Sequence, residues 1–161
     1  MGSVNPVFIL PDALKTKSKE IAEGLATSAT LSSGQFCTKP GIVITIGDQS
    51  DFLSHLKNSI EKIPPNNMLT NGMKQSFEMG LNQILNVSDV KLVAQAKTEN
   101  SNFTTATVVT TDHLTFVSNQ LLHQEVFGPM TIIVNCSSIQ DALKIANHFG
   151  NLLFFLKISI T

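Results

Sequence analysis

The feature that most constrains this chain is an alternation of two hydrophobic periods. Short apolar runs rich in Val and Ile, Val7 to Leu10, Ile42 to Ile46 and Met130 to Asn135, are interleaved with longer stretches whose apolar residues recur every three or four positions. The first kind suits strands buried on both faces, because a strand open to water on one side would alternate apolar with polar residues. The second suits helices that lay one stripe on a sheet. Leu14, Ile21, Ala22, Leu25, Ala26 and Ala29 form one stripe, opened near Asp12 and stopped by Gly34. Phe52, Leu56, Ile60 and Ile63 form a second, ended by Pro64-Pro65, and Phe77, Leu81, Ile84 and Leu85 a third. Ile139, Ala142, Leu143, Ala146 and Phe149 form a fourth. Val90 to Ala96, Thr105 to Thr110 and the late run Leu152 to Ile160 complete the strand candidates. Strands alternating with helices predict an α/β domain with a mainly parallel sheet and flanking helices, and functional groups on loops at the carboxyl ends of its strands.

At 161 residues and 42% hydrophobic content the chain can build one domain with a core and is too short to expect two, so residues 1–161 read as a single domain. Eleven basic residues against twelve acidic ones leave no electrostatic footprint for nucleic acid or an anionic membrane, and neither is expected as a partner. Cys37 and Cys136 are too far apart for a disulfide framework or a zinc spacing. No metal and a reducing, cytoplasmic setting are therefore expected. The opening MGSVNP lacks a basic stretch followed by an apolar one, and the run Leu152 to Ile160 is far short of the ~20 residues that span a bilayer.

Cys37 stands in GQFCTKPG, residues Gly34 to Gly41. Glycine and proline on both sides let the backbone turn sharply, which presenting a sulfur at a cleft requires and burying one does not. The residues alone leave three readings open: an incidental structural thiol, a thiol acting as a weak esterase or redox sensor, and a catalytic nucleophile. A place just past a helix C-terminus disfavours thiolate. Lys39 is the one cation close in sequence, while the histidines at 55, 113, 123 and 148 are distant and complete no Cys/His hydrolase signature. His123, two residues before Glu125, reads by default as a surface histidine. Cys136, ending a Val/Ile-rich run, reads as buried and inert.

A second constellation, EVFGP at Glu125 to Pro129, follows far downstream. With GQFCTKPG and the opening GSVNPVFILPDA it resembles the aldehyde dehydrogenase superfamily from Gly2 to about Phe149, and within it the branch that oxidises 2,5-dioxovalerate (α-ketoglutaric semialdehyde). The resemblance implies NAD(P)-dependent oxidation of an aldehyde, here a semialdehyde taken to 2-oxoglutarate. Cys37 would attack the aldehyde carbon, hydride would pass to the nicotinamide of NAD or NADP, and water would hydrolyse the resulting thioester. The Cys37 backbone N–H would form part of an oxyanion hole. Glu125 would bind the nicotinamide ribose and Phe127 would lie beside the nicotinamide, while Phe36 and Thr38 would line the substrate tunnel. Without the resemblance, Glu125 reads as a solvated loop carboxylate and Phe127 as a core aromatic. Full-length members of the family are homo-oligomers.

Departures from the family pattern qualify these expectations. The family's general-base glutamate immediately precedes a Leu-Gly pair whose place Met1-Gly2 takes, so that base would stand one residue before Met1. A dinucleotide-binding domain and the asparagine that completes the oxyanion hole have no counterpart in these residues, and the sequence departs from the family after about Gly150. The expectation is a partial catalytic domain, inactive by itself. The alternative from another class is a non-catalytic remnant or interaction module whose apolar face pairs with another subunit. If the catalytic reading holds, Glu125 and Phe127 meet the Cys37 loop across the carboxyl edge of the sheet.

Overall fold

Pro11 divides the first strand from the first helix, since its fixed φ and missing N–H suit a helix's opening turn and not a strand interior. In the computed structural model, which describes residues 4–148 and 156–158, β1 (Pro6–Ile9) accordingly gives way to α1 (Pro11–Thr30). There follow β2 (Ile42–Ile46), α2 (Ser50–Ile60), α3 (Asn71–Leu85), β3 (Lys91–Gln95), β4 (Thr107–Asp112), α4 (His113–Ser118), β5 (Met130–Cys136), α5 (Ile139–His148) and β6 (Leu156–Ile158). The strands form one sheet in the order β3-β4-β5-β2-β1-β6. All neighbours pair in parallel except β3, which runs antiparallel to β4. The α/β fold with a mainly parallel sheet is as the sequence predicts.

Burial on both faces explains the unbroken apolar runs. Along β2 all five residues are buried, and they divide by parity. Val43 joins Val7, Ile9, Val108 and Ile133 beneath α1 and α2, where Leu25, Phe52 and Leu56 meet them. Ile42, Ile44 and Ile46 join Val109, Ile132 and Val134 beneath the helices of the other face, through Phe77, Leu81, Phe116 and Ile145. Each such side chain contributes roughly 1.5–3 kcal/mol on burial, so the two faces together fix the sheet's register.

Several expectations shift. Ile63 lies beyond the end of α2, in a turn that still packs on the core. The sequence reading passes over α4, a six-residue helix capped by the Asp112 carboxylate, which accepts from the amides of Leu114 (2.8 Å) and Thr115 (3.0 Å). The run Leu152 to Ile160 is described only over Leu156–Ile158, which pairs with β1. Phe149 and the Met1-Gly2 pair lie outside the described residues.

Candidate active site

Cys37 sits on an exposed turn closed by a hydrogen bond from the Lys39 amide to the Phe36 carbonyl (3.1 Å). Phe36, 46% exposed, and Thr38 flank it and are also exposed. The Asn5 amide, at the start of β1, donates to the carbonyls of Cys37 (2.7 Å) and Lys39 (3.0 Å) and so ties the turn to the sheet. Before the turn, Ser32, Ser33 and Gly34 are all left-handed, with φ of 51°, 56° and 65°. That conformation costs about 1–2 kcal/mol per non-glycine residue, and it persists because the surroundings over-determine it. Ser33 is buried with its hydroxyl on the Asn67 carbonyl (3.0 Å), and the Gln35 side-chain oxygen accepts from the Leu69 amide (2.9 Å). Between α1 and Cys37 stands this whole left-handed turn, so the cysteine does not directly follow the helix C-terminus.

Lys39 is the residue that joins the two motifs. Its side chain is buried, and Nζ donates to the carbonyls of Val126 (2.9 Å), Gly128 (2.9 Å) and Met130 (3.1 Å). Burial pulls its pKa down to about 8, with the Glu125 carboxylate acting in the opposite direction. The ammonium is thus committed to the Glu125–Pro129 loop; it is a strut between loops, where the sequence suggested only a nearby positive charge. Gly34 makes the second bridge. A Cβ there would run into the Gly128 carbonyl and stand 2.7 Å from the Pro129 nitrogen. The third contact is between Gly128 itself, at φ 143°, and the ring of Phe77 on α3.

These bridges bring the Cys37 turn and the Glu125–Phe127 segment together, but at the other edge of the sheet from the one expected. The turn leads into β2 and the segment into β5, and Ile42 pairs with Ile132 in parallel register. Both therefore lie at the amino ends of their strands. The helix N-termini that follow β1, β2, β4 and β5 lie at the opposite edge, whereas the N-terminus of α3, capped by Thr70, lies on this side, where Thr70, Gly72 and Met73 line the cleft beside Glu125 and Phe127.

Half-buried Glu125 and Phe127, 36% exposed, line one cleft of ≈ 560 Å³ whose far wall is α3, with Gly72, Met79 and Gly80. The lining offers an exposed aromatic face at Phe127, a carboxylate at Glu125 and an open stretch at Gly72, groups of the kind that could hold a flat heteroaromatic ring with a sugar attached, while Gly80 packs against Val126. Phe36, Cys37 and Thr38 stand on the neighbouring turn and are not among its lining residues. His123 is taken up structurally, its Nε2 2.7 Å from the Phe116 carbonyl and its ring 4.9 Å from the Phe116 ring. Cys136 is 1% exposed, and burial together with the Asp141 carboxylate pushes its thiol up to about 12. Asn5 and Lys39 are the site residues that sequence reasoning missed. Both lie in the quoted motifs, yet their partners are backbone carbonyls, which leave no mark in a sequence. Among the described residues no helix is long and apolar enough to cross a membrane.

Comparison with known proteins agrees with this fold. Residues 1–151 match the aldehyde dehydrogenase family. An alpha-ketoglutaric semialdehyde dehydrogenase of Acinetobacter baylyi is 33% identical over 156 residues, covering 94% of this chain and 29% of the relative. An alpha-ketoglutaric semialdehyde dehydrogenase of Azospirillum brasilense is 28% identical over 148 residues, covering 90% of this chain and 28% of the relative. The crystal structure of a Thermus 1-pyrroline-5-carboxylate dehydrogenase with bound NAD superposes with a TM-score of 0.71 at 20% identity, over 91% of this chain and 29% of that one. The chain thus spans under a third of the length of the relatives it matches. With its parallel sheet, its cysteine turn and the loop locked against it, the chain belongs to the aldehyde dehydrogenase family.

Proposed function

We propose that this chain carries the nucleophile and the nicotinamide-end contacts of an NAD(P)-dependent aldehyde dehydrogenase that acts on a semialdehyde, 2,5-dioxovalerate being the substrate for which the Acinetobacter and Azospirillum relatives are named. The observation that carries the reading is the Lys39 strut, which seats the Cys37 turn on the segment bearing Glu125 and Phe127. Juxtaposing a nucleophile with the contacts for an electron acceptor is what this reaction needs, since misplacement by about 1 Å can cost 10²-fold.

In this mechanism the Cys37 sulfur adds to the aldehyde carbon, and the Cys37 N–H steadies the oxygen that becomes negative. A bound nicotinamide supplies the two-electron acceptor. Phe127 offers its ring face to that heterocycle without competing as a reductant, and Glu125 accepts hydrogen bonds from vicinal sugar hydroxyls. When the carbon-bound hydrogen has left with its electron pair, the substrate is a thioester on Cys37. Water cleaves it, releasing the carboxylic acid and restoring the thiol. Phe36 and Thr38 meet the substrate chain at the mouth of the turn.

Acyl transfer isolates the nucleophile from the redox step. Chain treated with 4-nitrophenyl acetate, quenched in acid and mapped by mass spectrometry is expected to carry acetyl on Cys37, and Cys37→Ala to carry none at that position. Acetylation confined to Cys136 or to lysines overturns the assignment.

A further inference from the structure

Lys39 contributes more than a contact between loops. An ammonium has three donors and no acceptor. Here three backbone carbonyls take all three, and two of them, Val126 and Gly128, flank Phe127 directly. A neutral amine has two N–H groups and a lone pair, so one of the three carbonyls would face that lone pair. The full three-point hold on the loop that carries Phe127 therefore exists only while Lys39 is charged.

We infer that Lys39 is a positioning residue that sets the Phe127 backbone from the nucleophile turn, closed when its side chain is an ammonium and relaxed when it is an amine. The inference rests on the functional reading of Cys37, Glu125 and Phe127, and it adds a control to that site. The charged groups that face Nζ are few. Glu125 lines the same small void of ≈ 20 Å³ beside Lys39 and favours the ammonium, and the other lining residues from β2, β5 and their loops are uncharged. Cys37 is two residues away on the same turn. Buried at 4% exposure, the ammonium has exchanged water for these carbonyls, and its titration falls near pH 8, where an exposed lysine would not respond.

The coupling is reciprocal. Opening of the loop therefore makes the Lys39 proton easier to lose, and removing the Glu125 charge that favours the ammonium does so as well.

Nuclear magnetic resonance of the whole chain tests this without cofactor or turnover. The expected result is that the Lys39 side chain titrates near pH 8 and that the Gly128 amide and the Phe127 ring shift with the same midpoint. Glu125→Gln lowers that midpoint, and Lys39→Met abolishes the Gly128 and Phe127 transition, leaving the spectrum of high-pH wild type. Lys39→Arg, a permanent cation, keeps the Gly128 and Phe127 signals near their low-pH positions throughout. Gly128 and Phe127 signals that stay still through the Lys39 midpoint overturn the inference, and this arm needs no substitution to fold. An unchanged transition in Lys39→Met overturns it as well. Acyl transfer to Cys37 reports separately on the functional reading: its absence with the Lys39 transition intact leaves the strut standing and removes its catalytic meaning.

Discussion

The Nζ of Lys39 lies 2.9 Å from the carbonyl oxygen of Gly128, 89 residues further along the chain, in a buried setting. Holding a charge there lowers the pKa from 10.5 to about 8, and burial is the larger cause. The sign of the consequence is fixed. Between about pH 8 and 10.5 the unfolded chain binds a proton that the folded one has released, so this group makes stability rise with pH across that window, by an amount on the order of 3 kcal/mol. Cys136 acts oppositely above pH 9, because its folded thiol ionises only near about 12. The rise is therefore expected between pH 8 and 9, in urea denaturation at closely spaced pH values. Lys39→Met should remove it and leave a curve that only falls as Cys136 begins to ionise in the unfolded chain. A rise that survives in Lys39→Met would assign it to another group.

Gly34 and Gly24 form a matched pair. Gly34 combines a φ of 65° with a Cβ position that collides with the Gly128–Pro129 backbone, whereas a Cβ on exposed Gly24, in the middle of α1, meets nothing within 4 Å. Gly34→Ala should cost at least the 1–2 kcal/mol of a left-handed alanine, and should also splay the Cys37 turn from its partner loop. Gly24→Ala should stabilise by roughly 0.5–1 kcal/mol. Thermal midpoints of the two variants moving in opposite directions are the expected outcome. A Gly34→Ala variant as stable as the wild type would mean that the Gly34 contact is absent in solution.

The two cysteines should separate cleanly under mild alkylation. Cys37 is on an exposed turn, and Cys136, at 1% exposure with its thiol pushed up to about 12, offers almost no thiolate at neutral pH. Limited iodoacetamide followed by peptide mass mapping should label Cys37 first, and Cys136 only once the chain is unfolded. Preferential labelling of Cys136 in the native chain would reverse the assignment of nucleophile.

What the sequence revealed and what it hid follow from the range of the forces involved. The stripe from Leu14 to Ala29 and the runs Ile42 to Ile46 and Met130 to Asn135 were legible because burial imposes its period directly on adjacent residues. Helix α4, at six residues, is too short to show two turns of any period, and its one local signal is the Asp112 cap. The edge on which the site lies was misread for a different reason. Rules for open parallel sheets favour the carboxyl ends of strands, but the site here forms where two turns on the amino side of β2 and β5 lock together through Lys39 and Gly34. Strand adjacency decides that, and no residue near Cys37 encodes which strand becomes the neighbour of β2.

The functional reading also makes a demanding statement about residues 1–161 tested alone. These residues span 29% of the Acinetobacter baylyi relative. In the reading proposed here they provide a nucleophile, one oxyanion donor and contacts at the nicotinamide end, with no residue assigned to deprotonate water. General-base assistance is typically worth ~10²–10⁴ in rate, and Glu125 and Phe127 make no provision for pyrophosphate or adenosine, which helix N-termini bind in dinucleotide folds. Reduction of NAD or NADP by 2,5-dioxovalerate is therefore expected to stay at background, followed at the absorbance of the reduced nicotinamide. Hydrolysis of an activated ester needs no electron acceptor, and it should proceed slowly and vanish in Cys37→Ala. The two assays together discriminate. Ester hydrolysis without nicotinamide reduction supports a nucleophile presented by an incomplete catalytic centre. Nicotinamide reduction that Cys37→Ala abolishes would show that another residue among these 161 serves as the base, and would move the search for it to the carboxylates around the Cys37 turn.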